Sequence, residues 1–334
     1  MLVLDQAVAF DIVLDRFRNF EADEPEIGDL VIGFELDSER RAITTQLANG
    51  QEDEKSTDIE TTINLRFDYQ HNALLGFHVD YEIESTPTIN GHIEESYVRL
   101  ETEIMQIRLG RMKLPFGQSE SEFITGPVLE FGEISEDALL ARADIGMGVN
   151  LTGYIFPGDV HTDPSKDELD GGLLVLYHSD DEGIIAGLGY ISDLWEATDP
   201  LDDIDIEESY PRVPAISGHF LVEYDNWLGL VEHVTAIDDI ENFEPEFNRP
   251  ASTSVELMYA HSDKWLFGLR SEYNSELEDF PKRQEAVLAR YYFTPDLSIG
   301  IEYLKSRYRP GVTNDDDVEI DEENTLSIEI SIDF

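Results

Sequence analysis

The last ten residues, 325–334 (TLSIEISIDF), constrain the fold more than any other stretch of the chain. In an extended strand, Leu326, Ile328, Ile330, Ile332 and Phe334 fall on one face. Ser327, Glu329, Ser331 and Asp333 fall on the other, because β side chains alternate with a period of two. Such a strand needs an apolar medium on one side and water on the other. A soluble sheet supplies both, and so does a bilayer, which a tilted strand of roughly 10 residues spans. The expected fold is all-β: a single transmembrane antiparallel β-barrel with lipid outside and water inside.

The same alternation recurs upstream. Ile63, Leu65, Phe67 and Tyr69 alternate with Asn64, Arg66 and Asp68. After the turn 70–72, Leu75, Phe77, Val79, Tyr81 and Ile83 alternate with Gly76, His78, Asp80 and Glu82. Short turns at 70–72, 102–103, 180–183, 225–226, 263–264 and 294–296 interleave with long acidic connections. The long ones lie near 38–58, 84–91, 115–137, 157–170, 193–213, 238–251, 275–283 and 308–324. A sandwich has no reason to lengthen every second connection, whereas a barrel with one trimmed and one elaborated rim does.

This spacing predicts strands near 28–37, 59–69, 73–84, 92–102, 104–114, 138–144, 147–156 and 170–179. The second half follows with 183–193, 214–224, 226–237, 252–262, 264–274, 284–293, 296–307 and 325–334. Residues 7–18 are strand-like as well and would make the tally odd, so 1–27 stands as an N-terminal strand or a segment inside the lumen. The even counts that remain are sixteen, which is expected, or eighteen if 41–49 is a further strand. Tyr69, Tyr81, Tyr224, Trp227, Tyr259, Trp265, Phe293 and Phe334 sit near strand ends, where interfacial girdles form. Ordinary β-propensity enriches aromatics too.

Charge narrows the function. The chain has 22 Lys plus Arg against 73 Asp plus Glu, a formal net charge of -51. A field of that sign repels nucleic acid and anionic headgroups, so no nucleic-acid partner is expected. The excess runs through every loop, as adaptation to high salt produces. Acidic runs at 202–205 and 315–317 offer oxygen ligands for Ca²⁺ but lack the EF-hand spacing. With zero cysteines there are no disulfides, thiolate zinc sites or cysteine nucleophiles. The eight histidines form no zinc-helix pair and flank no serine elbow, and no Gly-rich phosphate loop follows a strand. Neither an enzyme nor a cofactor is expected. No run of 18 apolar residues exists to make a transmembrane helix. Met1-Leu-Val-Leu-Asp has no basic n-region or cleavage motif, so the sequence is expected to be a mature form.

Basic residues concentrate on the polar faces of the early strands. Arg66, Arg99 and Arg108 are expected to point inward, forming a ladder with Tyr97, Glu101 and Gln106 beside it. Arg111 and Lys113 would face lipid unless a bulge near Gly110 shifts the register or they lie beyond the bilayer, since a charge at lipid depth costs a few kcal/mol. The segment 115–137 follows, with Pro115, Phe116, Gly117, Glu120, Glu122, Glu130, Glu133, Glu136 and Asp137. Folded inward as a constriction loop, it would set acids against the basic ladder and create a transverse field. A lumen wall merely neutralised by ion pairs uses the same residues. Further pore-lining candidates are His78, Asp80, Glu82, Glu223, Glu232, Arg270, Glu272 and Glu302. No metal-ligating set stands out.

Two resemblances add to this. A closing strand that ends in Phe334 resembles the terminal signal of bacterial outer-membrane barrels. Gly110-Arg111-Met112-Lys113-Leu114-Pro115-Phe116-Gly117, then Gly126-Pro127, Leu129-Glu130 and Gly132-Glu133, resembles the hallmark segment of the LbtU-like siderophore porins. Glu232-His233-Val234-Thr235-Ala236 and Phe280-Pro281-Lys282-Arg283 resemble two further elements of that family, in order. The chain departs from the family in having Gly126 for Asp, His233 for Tyr and Lys282 for Glu. The resemblance implies a sixteen-stranded outer-membrane pore, with iron chelates as cargo. The expected function is passive diffusion of small polar solutes or ions across the outer membrane. The alternative is a structural or docking barrel whose acidic loops bind a protein or surface-layer partner.

Overall fold

The computed structural model describes residues 28, 30–48, 52–86, 88–117, 121–128, 135–158, 169–179, 183–194, 212–239, 248–277, 280–313 and 318–334. Among them every strand pairs with both neighbours. The first eight are β1 (Leu30–Leu47), β2 (Glu52–Asn72), β3 (Leu75–Thr86), β4 (Thr88–Glu101), β5 (Met105–Lys113), β6 (Ser135–Gly146), β7 (Val149–Pro157) and β8 (Leu169–His178). They are followed by β9 (Ile184–Ile191), β10 (Ala215–Tyr224), β11 (Trp227–Ala236), β12 (Ala251–Ser262), β13 (Trp265–Ser275), β14 (Arg283–Thr294), β15 (Leu297–Arg307) and β16 (Ile320–Asp333). All neighbours are antiparallel, and β1 closes on β16 with Glu35 opposite Asp333 and Ile43 opposite Thr325. The count is sixteen. The segment 41–49 is no extra strand, because most of it continues β1. Residues 1–27 lie outside the described residues.

Two faces follow from the pleat. On β13, Trp265, Phe267, Leu269 and Tyr273 are exposed, while Leu266, Arg270, Glu272 and Asn274 are buried. The buried set faces the lumen, since Arg270 and Glu272 reach the loop that follows β5. The exposed set therefore forms the outer surface, and it is apolar on strand after strand: Ile216, Phe220, Val231, Val255, Leu257, Val287, Ile301, Ile328 and Ile330 all stand on it. At the short-turn rim, Trp227 pairs with Tyr259 and Trp265 with Tyr291, with ring centroids 4.6 and 4.9 Å apart. Phe293 extends this aromatic belt 5.0 Å from Tyr291.

The structure departs from the expected connections at the start of the chain. Most of 38–58 is strand, because β1 runs on to Leu47 and β2 begins at Glu52, and β3 and β4 likewise extend into 84–91. Polar residues on both faces make 38–58 look like a loop in composition. Pairing to β2 on one side and to β16, remote in sequence, on the other makes β1 a strand.

Nor does a bulge at Gly110 shift the register: β5 pairs without a break with both β4 and β6. Gly110 instead has φ 135, and a Cβ there would lie 2.9 Å from Tyr97 Cα. The irregularity is on the neighbouring β4, where Tyr81 faces Ile93 and Asp80 faces Glu95, leaving Glu94 as the extra residue. Lys113 is the last residue of β5, with Nζ 3.8 Å from the Glu94 carboxylate.

Unboiled protein in detergent should run as a compact band that shifts on boiling. Gly110→Val should lower the temperature of that shift, because it forces a Cβ into the β4 backbone at a positive φ, a strain of about 1–3 kcal/mol.

Candidate functional site: the lumen

The lumen is not wholly polar. Met112, Leu114 and Phe116, at the end of β5 and just beyond it, are buried in an apolar cluster with Tyr154, Phe156, Ile191, Leu194 and Val213. Phe116 lies close over Gly189 on β9, where a Cβ would come within 3.3 Å of the ring. Pro115 and Gly117 flank this pinned phenylalanine, Pro115 buried and Gly117 with φ 79. Hydrophobic burial, not turn chemistry alone, directs the chain inward. A second apolar group, Leu221, Leu228, Met258 and Leu266 among its members, covers inner faces on β9–β14. The expectation of water throughout the interior fails at these places, because the strands there carry Leu and Met on both faces.

From this anchor the chain reaches β12–β15, on the far side of the barrel from β5. Val128 N–H donates to both Glu272 oxygens at 3.1 Å. Ile124 and Thr125 N–H groups donate to Glu302 Oε2 at 2.6 and 3.3 Å. Ser121 Oγ donates to Glu256 Oε1 at 2.7 Å. Arg270, between these carboxylates, donates to the Thr125 carbonyl and covers the Phe123 ring at 4.9 Å. The tip of the Phe123 ring packs against Gly268 and Ile124 against Gly300, where Cβ atoms would come within 2.9 and 3.1 Å of them. Arg290 donates to the Glu122 carbonyl at 3.2 Å, and Tyr292 hydroxyl lies 3.5 Å from the Glu122 carboxylate. Charge-assisted bonds of this kind are worth about twice a neutral one, and a carboxylate that accepts backbone N–H groups fixes a loop that has no strand partner.

The other sequence-selected residues lie elsewhere on the wall. Arg66 is half exposed, its Nε 3.7 Å from Asp80. His78 is buried between Asp68 (2.8 Å) and Glu95 (3.5 Å) and stacks on Tyr97 at 4.7 Å. Arg99 donates to Gln70 at 2.9 Å, while Arg108 donates to Gln106 at 2.7 Å and covers Tyr97 at 5.0 Å. Arg99 and Arg108 are directly opposite in register. Glu232 faces inward on β11 between His219 and Ser254. Glu122, the acid described between 121 and 128, meets Arg290 and Tyr292 on β14. Glu120, Glu130 and Glu133 lie outside the described residues, as do the acidic runs 202–205 and 315–317.

Glu82, His92 and Glu94 bring donor atoms within 4.8 Å of one another, the described group that could hold a cation. His92 Nε2 lies 2.9 Å from Glu94 and 3.7 Å from Glu82.

Between the loop and the wall of β1, β2 and β16 lies a cavity of about 370 Å³. Ser121, Phe123, Ile124 and Gly126 form its loop side. Asp37, Glu39, Arg41, Thr62, Glu60 and Glu329 form its wall. Sequence reasoning placed Glu39 in the connection 38–58 and passed over Glu60, which it set at the start of the strand 59–69. The one signal was alternation within 35–45, where Asp37, Glu39 and Arg41 share a face.

No known family matches the sequence, and no curated protein does. Solved structures do resemble it. The anion-selective porin from Comamonas acidovorans superposes with a TM-score of 0.68 at 12% identity, covering 92% of this chain and 100% of that one. The outer-membrane channel DcaP of Acinetobacter baumannii gives 0.65 at 10%, over 93% and 99%. Salmonella typhi OmpF gives 0.64 at 13%, over 92% and 98%. At these identities the likeness is one of fold: a sixteen-stranded barrel of the porin type.

Replacing Glu272 and Glu302 together by Ala removes the acceptors for three loop N–H groups. The loop should then become cleavable by a glutamate-specific protease at least about tenfold faster, given roughly 1.5–3 kcal/mol per charged hydrogen bond. The compact detergent band should persist.

Proposed function

We propose that the chain is a passive diffusion channel of the bacterial outer membrane, with the segment 115–137 as its constriction. The observation that carries this is that the loop which follows β5 is held on β12–β15 and leaves a cavity of about 370 Å³ against β16, β1 and β2. The apolar outer face and the aromatic belt fit a bilayer, with the short-turn rim toward the periplasm. Arg66, His78, Asp80, Glu82, Arg99, Arg108 and Glu232 line the water-filled part. Arg270, Glu272 and Glu302 serve in addition as the posts that hold the constriction in place.

Small polar solutes and ions pass down their gradients. The likeness of 110–117 to the siderophore-porin segment adds iron chelates to the solutes proposed, which swelling of proteoliposomes in a ferric chelate tests directly. Channel function itself is checked in planar bilayers. Folded protein should give discrete conductance steps, and Gly268→Leu, which displaces Phe123 from its seat, should change the step size. A folded barrel that stays silent overturns the proposal.

A further inference from the structure

At the rim of the long connections, one imidazole stands between two carboxylates. Glu82 on β3 shares a face with the buried His78 and Asp80, and His92 on β4 is directly opposite it in register. The bulge on β4 supplies Glu94 as an extra residue, and its Oε2 comes to 2.9 Å from His92 Nε2. Glu82 Oε1 lies 3.7 Å from the same nitrogen, beyond hydrogen-bond reach. Nε2 carries at most one proton, so a single N–H faces two negative groups. The second oxygen of Glu94 is held from outside the trio. Ser135 Oγ donates to Oε1 at 3.0 Å, and Lys113 Nζ lies 3.8 Å from it. Lys113 and Ser135 are themselves opposite in register, at the two ends of the segment that joins β5 to β6.

We infer that Glu82, His92 and Glu94 form a binding site for a divalent transition-metal ion of the Zn²⁺ class. The inference needs only the fold and does not depend on the channel reading. An ion with bonds of about 2.0–2.2 Å to nitrogen and oxygen holds tetrahedral donors roughly 3.3 Å apart. The separations of 2.9 and 3.7 Å from Nε2 bracket that value, and all three donor atoms lie within 4.8 Å of one another. The ion takes the place of the Nε2 proton and balances both carboxylates at once. An imidazole nitrogen among the donors favours Zn²⁺ over Ca²⁺ and Mg²⁺, which take shells of about six or more oxygens. Ser135 and Lys113 orient the Glu94 carboxylate from behind, as the outer partners of metal ligands do. The His92 side chain is 47% exposed, so the ion enters from water and keeps a fourth position for water or a solute donor.

The test is calorimetric titration of the detergent-folded barrel with Zn²⁺. Millimolar Ca²⁺ in the buffer fills oxygen-only sites on acidic loops, and about 0.15 M NaCl screens the rest. One saturable site of micromolar or tighter affinity per chain is expected. Co²⁺ in its place should show the visible absorption of a four-coordinate site with a nitrogen donor. His92→Ala should abolish both signals, and Ser135→Ala should weaken Zn²⁺ binding by about tenfold. Glu94→Gln should weaken it further than Ser135→Ala does. The compact detergent band reports whether each variant folds, and if Glu94→Gln does not, the half-exposed His92 decides alone. Zn²⁺ uptake that His92→Ala leaves unchanged, or that Ca²⁺ displaces, overturns the inference and leaves the channel reading standing.

Discussion

Hydrocarbon offers no hydrogen bonds, so a strand that crosses it must find every backbone partner within the sheet. The pairing of β1 with β16 is where this requirement is met, since without it two strands would present open edges to lipid. Closure also fixes what the inside is. Once the outer face is committed to Phe220, Val255, Leu269 and Ile328, the pleat leaves Glu302, Arg270 and Glu39 no place but the lumen. The interior chemistry is thus a consequence of the exterior medium.

An interior of sixteen strands is too wide for side chains to fill. The chain handles this width asymmetrically. On one side Met112, Leu114 and Phe116 form a core like that of a soluble protein and set the direction of the loop. On the far side, wall carboxylates receive the loop's backbone donors, and flat glycine surfaces receive Phe123 and Ile124. A cavity of about 370 Å³ lies between the loop residues 121–126 and the wall of β1, β2 and β16. Apolar packing aims the loop, and charge-assisted hydrogen bonds hold its far end.

Much of the architecture was legible in the sequence because lipid imposes a period of two. Strands such as β13 and β15 declare themselves locally, Trp265, Phe267 and Leu269 facing out against Gly268 and Arg270 facing in. The extension of β1 through Ser38 to Thr45 was not legible, since this stretch is polar on both faces and pairs with β2 on one side and with β16, far along the chain, on the other. Polar residues could be picked for the lumen, as Arg270, Glu272 and Glu302 were. That they would receive N–H groups from Ile124 and Val128 could not be read, because those pairs are separated by 144–178 residues. The buried faces of Leu228 and Met258 were hidden for a simpler reason: an inward Leu and an outward Leu look the same in sequence.

One residue type serves two opposite ends in this lumen, and the supply of donors separates them. Glu272 and Glu302 are surrounded by N–H groups and by Arg270, so their charge is spent in fixing the loop and is largely hidden from solutes. Glu94 gives one oxygen to Ser135 and Lys113, but its other oxygen shares a single imidazole with Glu82. A carboxylate met by several donors becomes a fixture of the fold, whereas one that must share its donor keeps charge for an ion to balance.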